Sequence, residues 1–316
     1  MSSDFESQLR EYRLQKTKYY QIIPPTVTDT TPSVSSSPYT APRTDNAGHI
    51  DTERCCSFGI GEGPAKNSVY LCRLPLFGGT PLHIHYFWPV IILVMTMSGL
   101  VISTLHGLYA FIICCPVLFG SVLLHEIGHA SMAVYYGGRV KLILLWPLGG
   151  VAYLSMFGAQ NPFADALVAL AGPATHIPQV LFWLLLMAIS NGGKIHMAYA
   201  LTWNTLWLQV CAGAISTQLA IFLFNLLPAF PLDGGRILAA CLAMRNFEEN
   251  SVFKICSALG GGIGCVILLQ SISTILSGSQ SMYFGWSSLL IAVFLLTHSR
   301  QLWIEASEGK ALAYVN

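Results

Sequence analysis

Charged residues are scarce in this 316-residue sequence: they make up 10% of it, whereas 53% of the residues are hydrophobic. An average soluble domain carries about 25% charged residues. Sixteen of the 31 charged residues fall within the first 73 positions, which leaves 15 for the other 243. A compact soluble protein could not cover its surface with so few charges, but a lipid bilayer accepts long uncharged runs. The composition therefore excludes an ordinary soluble protein and indicates an integral membrane protein.

Three further absences narrow the possible functions. None of the nine cysteines forms a Cys-x-x-Cys pair, which argues against a metal site built from thiolates. No basic segment followed by a short apolar run begins the chain, so no cleavable signal peptide is predicted. The net charge of +1 gives no reason to expect a nucleic acid as partner. The partner that the composition does indicate is the lipid bilayer.

Hydropathy divides the chain into three parts. Residues 1–73 form a polar tail that is rich in Thr, Ser and Pro and is predicted to be largely disordered. Residues 74–298 form the membrane domain, and 299–316 form a short C-terminal tail. The membrane domain holds about six apolar runs, so the predicted fold class is an all-α polytopic membrane protein. The predicted spans are 86–105, 107–136, 163–190, 201–244, 252–275 and 282–298.

Two of these segments depart from a simple span. The run 201–244 is too long for one straight helix of ~20 residues, and Pro228, Pro231 and Gly234-Gly235 predict a break within it. After the second span, Val140–Leu145 has strand-forming residues, which predict a small hairpin at the membrane surface.

The distribution of basic residues predicts the orientation in the membrane. Lys194 alone would face one side if the chain crosses six times. The loops and tail on the other side hold Arg139, Lys141, Arg245, Arg300 and Lys310. Because Lys and Arg are enriched in cytoplasmic loops, both termini are predicted to lie in the cytosol.

The second span contains a cluster of ionisable residues, His125-Glu126-Ile127-Gly128-His129. Two histidines four residues apart lie on one face of a helix and can bind one zinc ion. Glu126 lies beside them, where it can act as the catalytic base for a zinc-activated water. Ionisable groups inside a span are costly and call for an explanation. The alternative is a buried polar cluster that holds helices together.

The third metal ligand is sought among the acidic residues of the apolar region. Asp165 lies near the end of a span, whereas Asp233 lies in the broken stretch Asn225–Arg236. Irregular backbone within a membrane is tolerated where it lines a protein cavity, so Asp233 is the natural third ligand. Its alternative role is to cap the helix that starts at Gly234. Asn225 could donate a hydrogen bond to a substrate or an oxyanion, or it could serve span-to-span packing.

The chain resembles the site-2 protease family of intramembrane metalloproteases over about residues 74–297. The resemblance rests on five stretches: Gly79–His85, His125–Ala130, Trp146–Ala152, Ala171–Pro173 and Asn225–Arg236. It implies one zinc ion held by His125, His129 and Asp233, with Glu126 as catalytic base. It also implies that the substrate is a transmembrane segment of another membrane protein.

One position departs from the family. Its third-span motif usually has Asn three residues after the proline, and here that position is His176. A donor role toward the oxyanion would be altered by this change, and His176 could instead join the metal or serve as a hydrogen-bonded packing residue.

Other function classes share some of these features. A membrane zinc transporter, or a metal-binding membrane protein without protease activity, is the main alternative. A transport path usually needs polar groups along several helices, whereas here the central polar groups cluster at one site. A prenyl-protein-type membrane protease would need a downstream Glu in a span as third ligand, which is lacking.

Overall fold

The computed structural model describes residues 68–146, 149–155, 161–196, 200–277 and 282–308. The predicted N-terminal tail up to residue 67, and most of the predicted C-terminal tail, lie outside the described residues. The first described strand begins at Ser68, inside the stretch predicted as tail. The strand β1 therefore includes residues that hydropathy assigns to the tail.

The described residues are mostly helical, with one small sheet. The first three α-helices are α1 (Phe87–Ile102), α2 (Thr104–Ile112) and α3 (Leu118–Tyr135), and a π-helical turn at Ile113–Val117 joins α2 to α3. The later helices are α4 (Pro162–Ala174), α5 (His176–Ser190), α6 (Leu206–Asn225), α7 (Asp233–Ala243), α8 (Glu249–Leu276) and α9 (Met282–Ser307). The strands are β1 (Ser68–Leu74), β2 (Thr80–His85), β3 (Arg139–Trp146) and β4 (Gly149–Ser155).

Within the described residues, four helical segments are long and apolar enough to cross a membrane: Thr104–Tyr135, Pro162–Ser190, Leu206–Asn225 and Asn250–Leu276. Each corresponds to one of the six predicted spans. The helix at the first predicted span, Phe87–Ile102, is apolar but only 16 residues long. Large apolar side chains point outward on these helices, as Val101 does with 88% exposure, which is the surface that lipid requires. The protein is therefore an integral membrane protein.

Prolines account for two irregularities within the spans. The π-helical turn that joins α2 to α3 contains Pro116, which lacks an N–H and whose ring crowds the carbonyl one turn earlier. The long segment 162–190 is divided at Thr175 into α4 and α5, and Pro178 follows one turn later. The first break precedes the helix that carries the two histidines of the motif, and the second lies directly before His176, the first residue of α5.

The predicted surface hairpin exists as β3 and β4, but it belongs to a larger sheet. The strand order is β1-β2-β3-β4, and β2 pairs with β3 in parallel. The prediction of a hairpin alone was incomplete, because β1 and β2 precede the first helix, and β2 pairs with β3 across more than fifty residues. Leu82, Ile143 and Leu145 from the sheet pack against Val122 and Ala130 of α3. The sheet is thus fixed against the helix that carries the histidine motif.

The predicted interruption of the fourth span is present. Helix α6 ends at Asn225, and α7 starts at Asp233. Between them, Ala229 and Leu232 are buried against Leu295 of α9. This packing holds the broken segment in place and brings Asp233 to the level of the histidines.

Candidate metal centre

The two histidines of the second span face inward from α3. His125 and His129 are buried, with only 5% and 4% of their surfaces exposed. Their Nε2 atoms lie 3.0 Å apart, as expected for side chains one helical turn apart on one face. The spacing in the sequence is therefore sufficient to form the first half of the site.

Asp233 completes the cluster from a different helix, α7. Its Oδ2 atom lies 3.1 Å from His125 Nε2 and 3.3 Å from His129 Nε2. Asp233 is the first residue of α7, and Leu232 occupies the N-cap position. The alternative in which Asp233 merely caps a helix starting at Gly234 is therefore wrong. Its place at a helix N-terminus also stabilises a negative charge.

The three atoms suit a zinc ion by chemistry and by spacing. Imidazole nitrogen and carboxylate oxygen are ordinary zinc ligands, and a tetrahedral site with bonds of about 2.0–2.1 Å separates its ligand atoms by roughly 3.3 Å. The separations here are 3.0, 3.1 and 3.3 Å. Among the described residues, these three form the one group of His, Cys, Asp or Glu side chains that could hold a metal ion. Asp165 lies outside this group.

Backbone and side-chain partners orient each ligand. His129 Nδ1 lies 2.7 Å from the carbonyl oxygen of Val168, so that nitrogen donates and Nε2 is left free to bind a metal. On the other side of Asp233, a guanidinium nitrogen of the half-exposed Arg236 lies 3.6 Å from Oδ1. Such outer contacts fix the direction of the metal-binding atoms.

Glu126 lies beside the cluster without joining it. Its side chain is 3% exposed, and its carboxylate accepts a hydrogen bond from the backbone amide of Ala152 in β4. Gly150 of the same strand packs against it, because a Cβ atom at Gly150 would lie 2.6 Å from Glu126 Oε1. Strand β4 thus packs against the Glu126 carboxylate, the group that the motif predicts to transfer protons.

Two glycines let backbone approach the site closely, and the sequence motifs alone gave them no role. A Cβ atom at Gly172 of α4 would collide with His129 and would lie 2.7 Å from His125 Nε2. A Cβ atom at Gly128 of α3 would lie 2.6 Å from the carbonyl oxygen of Ala171. Close crossing of α3 and α4 therefore depends on both residues. Each glycine lies within a stretch that carries the family resemblance, His125–Ala130 or Ala171–Pro173, but the sequence does not indicate which residue packs against it.

The remaining two candidate residues occupy different positions. His176, the first residue of α5, is buried, and its two ring nitrogens contact His125 and the side chain of Gln218. It therefore has no free nitrogen for a substrate. Asn225, the last residue of α6, is half-buried, and its side chain makes no hydrogen bond within the described part of the chain. Sequence reasoning did not single out Gln218, although a buried amide in an apolar span was a usable signal.

Comparison with known proteins agrees with this geometry. The model of "Peptidase family M50" matches residues 111–192 and 188–268. The zinc metalloprotease MJ0392 of Methanocaldococcus jannaschii is 29% identical over 68% of this chain and 59% of its own length. A putative zinc metalloprotease of Synechocystis, sll0528, is 31% identical over 66% of this chain and 53% of its own. The chain thus spans little more than half the length of these relatives.

The fold is also similar to a solved structure. The site-2 protease from Methanocaldococcus jannaschii superposes with a TM-score of 0.51 over 75% of this chain and 95% of that chain, at 24% identity. The residues matched by the family model, 111–192 and 188–268, include His125, His129 and Asp233. The chain therefore belongs to peptidase family M50, the family of the site-2 proteases.

Proposed function

We propose that this protein is an intramembrane zinc metalloendopeptidase that hydrolyses peptide bonds in transmembrane segments of other membrane proteins. The observation that carries the proposal is the convergence of His125, His129 and Asp233 within 3.3 Å of one another. Glu126 lies beside them, in the same helix. Two histidines, one carboxylate and a separate Glu form the set of a hydrolytic zinc site.

His125 Nε2, His129 Nε2 and Asp233 Oδ2 would hold the metal. Three protein ligands leave a fourth position open, which distinguishes a catalytic zinc site from a closed structural one. Zinc bound there would supply Lewis acidity, acidifying a water molecule and polarising a carbonyl group.

Glu126 is proposed as the general base and acid. A carboxylate oxygen would accept the proton of the attacking water and would later deliver it to the amine of the leaving peptide. The amide of Ala152 and the close packing of Gly150 hold the carboxylate in place before the substrate arrives. Such preorganisation favours proton transfer because little rearrangement is needed at the moment of reaction.

The substrate must be extended near the cleaved bond, since a helical peptide has its carbonyl groups hydrogen-bonded. The stretch Pro228–Asp233, where the helix is broken, is one place that could hold such a peptide. In the structure its own backbone is partly paired, as in the bond from Leu232 N–H to Ala229 O of 2.9 Å. The outer edge of β4 is the better candidate, because within the described residues β4 pairs only with β3. A peptide added along that edge would pass beside Glu126.

Asn225 is proposed to contact the substrate or the oxyanion. It ends α6 immediately before the segment that leads to Asp233. Its side chain is half-buried and has no hydrogen-bond partner in the described part of the chain. An amide in such a position can donate to a carbonyl oxygen that gains negative charge.

The proposed topology keeps six spans, with both termini in the cytosol. Helix α3 ends at Tyr135, and the basic residues Arg139 and Lys141 follow it. His129 would then lie roughly 10 Å inside the membrane from that end, at about 1.5 Å per residue. The enzyme should therefore cut near the cytosolic end of a substrate's span and release a cytosolic fragment.

Single cysteines test this topology with a membrane-impermeant thiol reagent on intact cells. In a background without competing cysteines, we expect labelling at Asn191→Cys and none at Gly138→Cys. The reverse pattern would place the site near the opposite face.

The activity itself is tested by reconstitution. Purified protein in liposomes should cleave a reporter that carries one transmembrane helix, and a zinc chelator should stop the cleavage. A membrane zinc transporter would instead move zinc across the vesicle membrane and leave the reporter intact, which would contradict the proposal.

A further inference from the structure

The ligand His125 is held by another histidine. Its Nδ1 atom, on the side of the ring away from Asp233, lies 3.1 Å from Nε2 of His176. Both rings are buried, and His176 is only 1% exposed. The other ligand, His129, has a carbonyl oxygen in the equivalent position. The two histidines of the metal centre are therefore oriented by different kinds of partner.

The contact of His176 continues into a chain of hydrogen bonds. Its Nδ1 atom lies 2.6 Å from Oε1 of Gln218, in α6. The amide nitrogen of Gln218 lies 2.5 Å from Oγ of Ser121, and that Oγ lies 2.5 Å from the carbonyl oxygen of Val117. All three side chains between His125 and Val117 are buried. The chain crosses from α3 through α5 and α6 and returns to α3.

The donor and acceptor of each hydrogen bond follow from the last group in the chain, the carbonyl oxygen of Val117. A carbonyl oxygen can only accept, so the hydroxyl of Ser121 donates to Val117 and accepts from the amide nitrogen of Gln218. The oxygen of Gln218 then faces His176 and accepts from its Nδ1–H. A neutral His176 has its lone pair on Nε2, and it accepts from the Nδ1–H of His125. His125 is left with its lone pair on Nε2, the atom that faces Asp233 and His129.

We propose that His176 and Gln218 are positioning residues that hold His125 in the tautomer and ring orientation needed to bind zinc. Without an acceptor at Gln218, His176 could carry its proton on either nitrogen, and so could His125. In a buried site without competing water, each wrong tautomer leaves a polar atom unpaired, so the chain selects one arrangement strongly. The inference rests on the metal site of the proposed function and adds two residues that do not touch the metal.

The measurement is the zinc dissociation constant of the full chain in detergent micelles, obtained by competition with a coloured chelator. Gln218→Leu removes the acceptor while keeping an apolar side chain of similar size. Loss of an outer partner of a metal-binding histidine typically weakens metal binding by about 10–100-fold, and we expect a loss in that range. Gln218→Glu restores an acceptor for His176 Nδ1 and should bind zinc within about threefold of the wild type.

A matched control is Gln179→Leu. Gln179 is a half-buried amide of α5, and within the described residues its side chain makes hydrogen bonds only to Thr175, outside the chain of bonds that ends at His125. This substitution should leave the zinc dissociation constant unchanged.

A double-variant cycle separates positioning from general loss of packing. If Gln218 acts only through His176, then Gln218→Leu should weaken zinc binding in the wild type and add nothing in a His176→Phe background. Additive effects would overturn the inference, and so would zinc binding by Gln218→Leu within twofold of the wild type. If Gln218→Leu does not fold, Ser121→Ala offers a smaller change, with an expected loss of a few-fold.

The same zinc measurement separates a failure of the metal site from a failure of the positioning chain. A wild-type chain that binds no zinc contradicts the metal site itself. A wild-type chain that binds zinc, with Gln218→Leu unaffected, contradicts only the positioning chain.

Discussion

Gly172 offers the sharpest structural test of the metal centre, because it lies in a helix and faces both histidines. A Cβ atom at this position would collide with the His129 ring and would lie 2.7 Å from His125 Nε2. Ordinary van der Waals contact begins at 3.4 Å, so the shortfall at His125 alone is 3.4 − 2.7, or roughly 0.7 Å. Zinc–ligand distances tolerate about ±0.2 Å. Gly172→Ala should therefore displace at least one of the three ligands.

The expected loss of zinc affinity is at least 100-fold, which corresponds to about 2.7 kcal/mol. The substitution should not unfold the protein, because the overpacking cost of about 1–3 kcal/mol where α3 and α4 cross closely is partly offset by the roughly 0.5–1 kcal/mol by which alanine is favoured over glycine within a helix. Zinc content by mass spectrometry and thermal unfolding of the metal-free chain would measure the two effects separately. Loss of zinc with only a small fall in the unfolding temperature of the metal-free chain is the expected combination.

The matched control for this experiment is Gly120→Ala, in the same helix as the histidines. A Cβ atom at Gly120 would have nothing within 4 Å, so zinc binding should be unchanged. If Gly172→Ala bound zinc within threefold of the wild type, the close approach of α4 to the two imidazoles would be refuted, and with it the described shape of the site.

Two further predictions concern the carboxylates. Asp233→Ala should lose zinc, whereas Asp165→Ala should keep it, because Asp165 is half-buried in the first turn of α4 and lies outside the metal cluster. X-ray absorption of the wild-type protein should show nitrogen and oxygen ligands. A sulfur ligand at about 2.3 Å would refute the assignment of the ligands. Gly150→Ala should keep zinc but slow cleavage at least tenfold, because the added Cβ atom would lie 2.6 Å from Glu126 Oε1 and would displace the carboxylate. An unchanged kcat would show that the contact with Gly150 does not set the position of Glu126.

The sequence predicted the metal centre because charge is scarce in this chain. His125 and His129 are related by helical spacing alone, which is a local pattern. Asp233 is 108 residues away from His125, but few acidic residues in the apolar region could compete with it. In a soluble protein with many carboxylates, the same reasoning would have left many candidates.

The outer contacts of the site could not be predicted in the same way. Gln218 meets Ser121 across 97 residues of sequence, and only the packing of α3 against α5 and α6 brings them together. The importance of Gly150 and Gly172 likewise depends on which side chain faces them. The sheet was underestimated because β2 pairs with β3 in parallel, and such pairing over a long connection leaves no local pattern.

The measurement that tests the central claim most directly is cleavage of a transmembrane reporter by Glu126→Gln, with zinc content determined on the same preparation. Glu126 lies outside the group of described side chains that could hold a metal ion, so the variant should retain zinc at the wild-type level. Because the amide cannot accept the proton of the attacking water, cleavage should fall by at least about 100-fold. A zinc-loaded Glu126→Gln protein that cleaves the reporter at near the wild-type rate would contradict the proposed function of this site.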